Sequence, residues 1–555
     1  MSYTKYPFNL GQHERRVSTA SPEAQGWFNL GLNWCLGFNH EEAIICFENA
    51  LNADPNCVMA HWGVAYASAP FYNLIWREMG EHEAAKAITR ARHHISMAHS
   101  LATHATAVEN ALVKAIEARF KSSGPVPVAE YDQWDDDYAA AMRCVYETFP
   151  EDDDVMSLFV EALITRTPRR LWDMKTGLPA TGADTLEAMA ICKKSIAHNN
   201  AVGKPQHPGI LHLYIHVMEM SHTPEDAMAS ADTLTALCPD AGHLNHMPGH
   251  VFMLCGQYEK AKKASEAAIL ADDMYAAHGG SNNFYVTARC HDVHLMMSTC
   301  MFLGQYEPAM KAARKMRSVI TRDILTTPNR PKLTMLTEGY YAMAVHVLVR
   351  FGRWQDIIDA PLPDEPELYL ITTAMQHYAR GVAYASLKKI EEAERERTRF
   401  RESVKRVPPE RRFLNNPAVD MLAVGESMLN GELEYHKGNY SKAYEHLREA
   451  VRRDDNLRYT EPWAWMHPPR HALGALLLAQ GHVDEAEKTY RGDLGLTQEL
   501  QRCSQHPGNI WSLRGLVECL ERRGETDELP ALREKLANVV KLADVEVPSS
   551  CMCRT

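Results

Sequence analysis

Ten of the chain's 27 histidines fall between His207 and Tyr306, and their spacing is more informative than their number. His212 and His216 stand four apart, with Glu219 three further on. His243, His246 and His250 are spaced three and four, and His291 and His294 three apart. On an α-helix, positions three or four apart share a face with Cβ atoms ~5–6 Å apart, close enough for two imidazoles to share one metal ion. Imidazole suits copper, zinc, iron and nickel, and no thiolate takes part in the pattern. Three imidazoles per ion, with open positions, fit a pair of copper ions meeting dioxygen. His212, His216 and Glu219 alone fit the two-histidine, one-carboxylate set of non-haem iron. A zinc hydrolase using Glu219 as general base to a bound water is a further reading, against which stands the absence of an HExxH motif. A structural zinc needs only four ligands and prefers cysteine. The expected cofactor is therefore a transition metal, with copper ahead of iron and zinc. A single histidine on a helix is ordinarily a surface or satisfied core residue. His61 and His377 fall at a helix packing step where an aromatic residue usually stands and are assigned to the core, and His13, His93, His94, His99 and His104 show no partner pattern.

The elements that must position these residues are helices. No alternating strand run and no hairpin turn of the Asn-Gly type stands out. From Trp27 the chain reads WFNLGLNWCLGFNHEEAIICFENALNADP, which resembles the 34-residue tetratricopeptide repeat, a helix–turn–helix unit. Trp27, Leu30, Gly31, Ala43, Phe47, Ala50 and Pro55 fall at the signature steps. CVMAHWGVAYASAPFYN begins a second unit, with Trp62 and Tyr66 on one face. Residues 80–200 stay helical but match the repeat poorly, and 122–128 and 176–182 read as loops from their Gly and Pro content. Matches return at Pro208 and continue through Ala227 and Pro239, Gly256 and Ala261, Gly304 and Ala309, Gly381 and Ala393, Gly431 and Ala443, and Gly474 and Ala486. The segment 276–289 reads as an inserted loop able to fold over the groove mouth, bringing His278 and Tyr285 to a substrate or metal.

The repeat register sharpens the histidine pattern. In this repeat family the first helix of each unit lines a concave groove at its second, fifth, ninth and twelfth positions. Registered on small residues and proline, His243, His246 and His250 take the second, fifth and ninth steps. His212, His216 and Glu219 take the fifth, ninth and twelfth, and His291 and His294 the second and fifth. The expected fold is an all-α, right-handed solenoid of helix hairpins with a histidine-lined concave groove. Its expected parts are an N-terminal extension at 1–20, partly degenerate repeats at 21–200, histidine-rich repeats at 201–325, further repeats at 326–545 and a loose tail at 546–555.

Beyond the generic repeat, the chain resembles a microbial branch of tetratricopeptide-repeat proteins. The resemblance rests on FNHEEA at 38–43, HLYIHVME at 212–219, AGHLNHMPGH at 241–250 and HDVH at 291–294. It departs from that branch at Asp292 and around RTPRRLWD at 166–173, where Arg169 and Arg170 offer either an anion contact or a solvated pair. The resemblance implies the fold and the weight of the motifs, not a reaction. In the C-terminal repeats Trp463, Arg470 and His471 mark a second polar face.

A net charge of -12 argues against nucleic acid and anionic membranes as partners. No apolar run approaches the ~20 residues of a membrane helix, the first residues lack a secretory core, and 13 scattered cysteines suit reduced thiols in the cytoplasm. The expected function is a metal-dependent oxidoreductase or oxygenase acting on a small molecule. Glu219 is its catalytic carboxylate, the seven histidines its ligands, and Trp62, Tyr66, Tyr285, Arg470 and His471 the substrate contacts. The alternatives are an adaptor binding a protein or peptide through the repeat surface, a zinc hydrolase, or a metal store.

Overall fold

The structure, a computed structural model, describes residues 2–328 and 331–554. Its residues group into two compact units. The first comprises Met1–Val251, Glu266–Tyr285 and Pro328–Lys332, the second Phe252–Ser265, Val286–Thr327 and Leu333–Thr555. Both are built almost wholly from paired helices of the tetratricopeptide type, as the repeat signature predicts. Among the described residues no helix is long and apolar enough to cross a membrane.

The first unit opens with α1 (Pro22–Leu36), α2 (His40–Ala53) and α3 (Val58–Ser68). Ser21 caps α1 by accepting from the Ala24 N–H, and Pro22 stands at its first turn, where a missing N–H costs nothing. The repeat's small residues explain the close packing. A Cβ on Gly31 would come within 2.7 Å of the Phe47 ring, and one on Gly63 within 2.6 Å. Phe47 thus fills a slot that only glycine leaves open on both sides. The degenerate stretch forms α4 (Glu81–Ser100), α5 (Ala107–Ile116), α6 (Val128–Thr148), α7 (Asp153–Thr165) and α8 (Thr185–Val202). The loops expected from Gly and Pro fall between α5 and α6 and between α7 and α8. Then come α9 (Pro208–Met218) and α10 (Met228–Leu234), and the chain continues into α11 (Gly242–Leu254) and α12 (Tyr258–Gly279). Every residue of α3, α7 and α9 is buried. A helix packed on all sides needs an apolar surface all round, so the histidines of α9 lie in a dry environment.

The expected N-terminal extension is not separate. Tyr6 and Phe8 pack on the Trp27 and Trp34 rings, and Arg15 pairs with Asp152 and Asp154. The 276–289 insertion is mostly not a loop. Helix α12 runs to Gly279 and the next helix begins at Val286, leaving a connector of 280–285. The alanines and aliphatic residues before the glycines extend the helix by propensity, and the Gly-Gly pair stops it. His278 packs against Tyr6 and Phe8.

The second unit holds α13 (Val286–Phe302), α14 (Tyr306–Val319), α15 (Arg322–Leu325), α16 (Pro331–Ala342), α17 (Ala344–Arg350), α18 (Trp354–Asp359), α19 (Leu370–Ser386), α20 (Ile390–Lys405), α21 (Ala418–His436), α22 (Tyr440–Asp454), α23 (Pro469–Ala479), α24 (Val483–Asp493), α25 (Ile510–Arg523) and α26 (Leu529–Val540). A single small hairpin pairs β1 (Arg412–Phe413) with β2 (Asn416–Pro417). The C-terminal tail is docked, contrary to expectation. The Ser550 carbonyl accepts from Arg350 at 3.0 Å, and its hydroxyl lies 2.6 Å from the Tyr490 hydroxyl. Cys551 and Cys553 are buried and joined by a disulfide.

Candidate metal centre

Helices α9 and α11 bring five imidazoles and one carboxylate together in the first unit. His212 and His216 project from α9 and His243, His246 and His250 from α11, and none is more than 2 % exposed. The register predicts an open groove face for them, whereas all five stand on a closed, buried face. Gly209 lets α9 approach so closely: a Cβ there would lie 2.5 Å from the Ser157 hydroxyl and 2.7 Å from the Leu36 side chain. Pro248 sits between His246 and His250 inside α11 and supplies no N–H to the helix ladder.

Hydrogen bonds set the tautomers. Nδ1 of His212 is 2.8 Å from the Leu36 carbonyl, which can only accept, so that nitrogen carries the proton and Nε2 keeps its lone pair. Nδ1 of His216 lies 3.0 Å from Glu219 Oε1, and Nδ1 of His250 lies 2.6 Å from Glu219 Oε2. An ionised Glu219 accepts from both rings, which places the lone pair of each on Nε2. Nε2 of His216 meets no hydrogen-bond partner among the described residues. Nε2 of His212 is 3.1 Å from Nε2 of His243, and Nε2 of His246 is 2.6 Å from Nε2 of His250. One ligand atom from each of His212, His216 and His243 lies within 4.8 Å of the others, as do atoms of His216, Glu219 and His250. Carbonyl and carboxylate partners that hold the distal nitrogen of metal-binding histidines orient the rings in this way.

Electrostatics keeps the lone pairs available. Burial, with His216 adding, holds His212 well below the ordinary imidazole range. Burial, with Arg169 adding, draws His216 down to about 3. Burial also lowers His250, against the pull of Glu219, and raises Glu219, against the pull of His250.

An apolar cover completes the site. The Phe38 ring stands 4.4 Å from His212, 5.2 Å from His243 and 6.0 Å from His216, and the Tyr72 ring 4.6 Å from His216. Phe38 has a φ of 58°, a conformation few bulky side chains adopt. The same left-handed conformation recurs in the hairpin turns at Gly256, Gly304, Lys388, Gly438 and Gly481, so it belongs to the turn between paired helices. FNHEEA is where that residue was visible in the sequence. Tyr72, in the turn after α3, and the Leu36 carbonyl, at the end of α1, carried no signal, because both reach the site from segments far away along the chain.

The remaining predicted residues are placed as follows. Tyr285 is buried and its hydroxyl accepts from the His243 backbone N–H at 3.2 Å, so it steadies the start of α11. Trp62 and Tyr66 are buried and stack on each other at 5.0 Å. His291 and His294 lie on α13 in the second unit, where His294 is fully buried beside Tyr340 and Phe413. Arg470 pairs with Asp455, and His471 bridges Arg350 at 2.6 Å and Asp493 at 3.0 Å, both in the second unit. Arg169 pairs with Glu78, and its backbone N–H meets the Tyr72 hydroxyl. His13, unremarkable by spacing, shares Asp154 with His207 at 2.9 and 3.1 Å, while Arg15 holds the other oxygen. That triad is internally satisfied.

No family model and no curated protein matches this chain. Solved structures similar to it include the human IFIT1 dimer with m7Gppp-AAAA, with a TM-score of 0.33 and 11 % identity over 95 % of this chain and 91 % of that one. Yeast Tom70 aligns with a TM-score of 0.28 and 11 % identity over 93 % and 92 %. The APC/C hetero-tetramer Cut9–Hcn1 aligns with a TM-score of 0.27 and 13 % identity over 80 % and 82 %. Scores of this size carry no inference about ligand or activity. The helix pairs themselves establish an all-α, tetratricopeptide-like array.

Proposed function

We propose that the first unit binds a transition metal through Nε2 of His212, His216 and His243, and that the protein is a metal-dependent oxidoreductase acting on a small molecule. The observation that supports it is the convergence of one ligand atom each from His212, His216 and His243 within 4.8 Å of one another in a dry pocket, with Nδ1 of His212 and of His216 already engaged by an acceptor. Glu219 braces His216 and His250 through Nδ1 and is committed to that role, which weakens both the iron triad and the zinc-hydrolase reading. Three imidazoles favour copper, then zinc, in the site. A bound copper or iron ion supplies one-electron chemistry to the substrate. The chain's own part is to keep His212 and His216 deprotonated, to fix the tautomers of those two rings, and to exclude water with Phe38 and Tyr72.

Elemental analysis of the full chain purified without a histidine tag tests this. Stoichiometric transition metal, copper before zinc or iron, lost in His212→Ala and kept in His94→Ala, is the expected result. Folded protein that holds no metal and whose melting temperature does not respond to copper, iron or zinc sinks it.

The second reading is a partner-binding scaffold, which the helix-pair architecture favours by itself. In that case the histidines form an internal hydrogen-bonded network. Metal-free protein that retains a peptide or protein partner is its signature.

A further inference from the structure

In the second unit the inner helices carry a different set of polar side chains. His294 on α13, His346 and Arg350 on α17, Tyr378 on α19 and Glu432 on α21 are all buried. Helix α17 packs against α13 and α19, and α19 against α21. The segment leading into α23 adds Trp465 and His467, also buried. The His346 ring stands edge-on to Trp465 at 4.5 Å, and Trp465 edge-on to Tyr378 at 5.2 Å. His467 feels the fields of Arg350, His471 and His346, Tyr378 those of Glu432 and Arg350, and His294 that of His346.

These groups lack partners. Both ring nitrogens of His294, His346 and His467, the indole N–H of Trp465, the Tyr378 hydroxyl and both Glu432 oxygens have no hydrogen-bond partner among the described residues. Buried polar groups are paired in the great majority of cases, and a concentration of unpaired ones calls for something outside the chain. The neighbouring groups are engaged by contrast: Arg350 donates to the Ser550 carbonyl and to His471, and His471 meets Asp493.

We infer that these side chains form a binding site for a small hydroxylated organic anion. Trp465 can only donate, whereas each neutral imidazole has one donor and one acceptor, so the occupant must both accept and donate, as hydroxyl groups do. Arg350 contributes a buried positive charge. Its oppositely charged neighbour Asp493 already serves His471, His506, Asn509 and Ser512, which leaves room for one more negative charge. The Trp465 and Tyr378 rings supply flat walls of the kind small-molecule pockets use. Burial holds His294 and His346 at about 3, so both are neutral, and raises Glu432 to about 8, so it is a carboxylic acid able to donate. Among the described residues these three imidazoles do not form a ligand-sharing group, which separates the site from the histidine centre of the first unit.

The test uses the full-length protein with D-gluconate and L-malate as probes, glycerol as the uncharged control and zinc chloride as the metal control. Melting temperature and calorimetric affinity are read for wild type, Trp465→Phe, His467→Gln and Glu432→Gln, with circular dichroism reporting folding. Small molecules released on denaturing freshly purified wild type are identified by mass spectrometry. The expected result is a concentration-dependent rise in melting temperature with at least one anion and none with glycerol. His467→Gln weakens that anion by about tenfold or more, the loss of roughly one good hydrogen bond to a buried ligand. An organic acid released from wild type supports the proposal equally. It is overturned if neither anion binds and no organic acid is released, if binding is the same in all three variants, or if zinc alone binds and the variants abolish that. Trp465→Phe keeps an aromatic side chain while removing the donor, and three variants are read, so a folding failure in one of them does not remove the test. Metal analysis of the first unit is independent of every arm.

Discussion

Glu219 has two oxygens and gives each to a different imidazole, 3.0 Å from Nδ1 of His216 and 2.6 Å from Nδ1 of His250. Its chemistry is therefore that of a brace. Glu219→Gln replaces one acceptor with an N–H donor, which forces one ring to accept at Nδ1 and to carry its proton at Nε2. Metal affinity is expected to fall by ~10–100-fold, the usual penalty for losing a partner of a metal-bound histidine, with little change in helicity. A competition titration against a copper chelator measures it, and unchanged affinity removes Glu219 from the site. Glu432 gives a pH signature. Its carboxyl titrates at about 8 in the folded chain against 4.5 as an ordinary glutamate. Between those values the folded state keeps a proton that the unfolded state has lost, so this residue's contribution to stability declines as pH rises from about 4.5 to about 8. Burial alone sets that shift, and Tyr378, which faces Glu432, is itself held well above its ordinary range by burial and so stays neutral. Urea midpoints of wild type and Glu432→Gln are expected to be close at pH 4.5 and to separate towards pH 8, with the variant the more stable. Parallel curves count against a protonated Glu432.

At the scale of the element, the repeat works through size complementarity. Phe47 of α2 is flanked by Gly31 of α1 and Gly63 of α3, and no other residue type leaves room for the ring. Phe47→Ala is expected to cost ~3–5 kcal/mol, and Gly31→Val ~1–3 kcal/mol through overpacking. Both are read from denaturant unfolding, and a change within error for either would mean that the slot is plastic. These positions were legible because the repeat signature encodes the helix contact directly. The 276–289 segment was misread for the opposite reason. Its glycines and asparagines cluster at 279–283 in the middle of the segment, and reading the whole as one loop overlooked the helical AAH before them and VTAR after them.

For the whole molecule, the C-terminal tail is part of the second unit rather than an appendage. Ser550 accepts from Arg350, bonds Tyr490 and donates to the His471 carbonyl at 2.8 Å. Deleting residues 546–555 strips these contacts from α17, α23 and α24. Hydrogen exchange is expected to quicken in those three helices, and unchanged protection there would show the tail to be dispensable. The division into two units likewise has no counterpart in composition: it cuts through α11 and α12, which are continuous in sequence and structure.

The sequence by itself determined the helices, their pairing and the face on which each histidine stands, because all three follow from spacings of a few residues along one chain segment. It named the residue types of the proposed ligand set for the same reason. Only the tertiary structure decided that the histidine face is closed, that the Leu36 carbonyl sits against a ring 176 residues away, and that Glu219 is shared between two helices. It alone gathered His346, Tyr378, Glu432 and His467 from separate helices and a loop, each of which reads in sequence as a lone polar residue in apolar surroundings. Burial, tautomer and unpaired hydrogen bonds depend on what arrives from distant segments, and no local pattern records that.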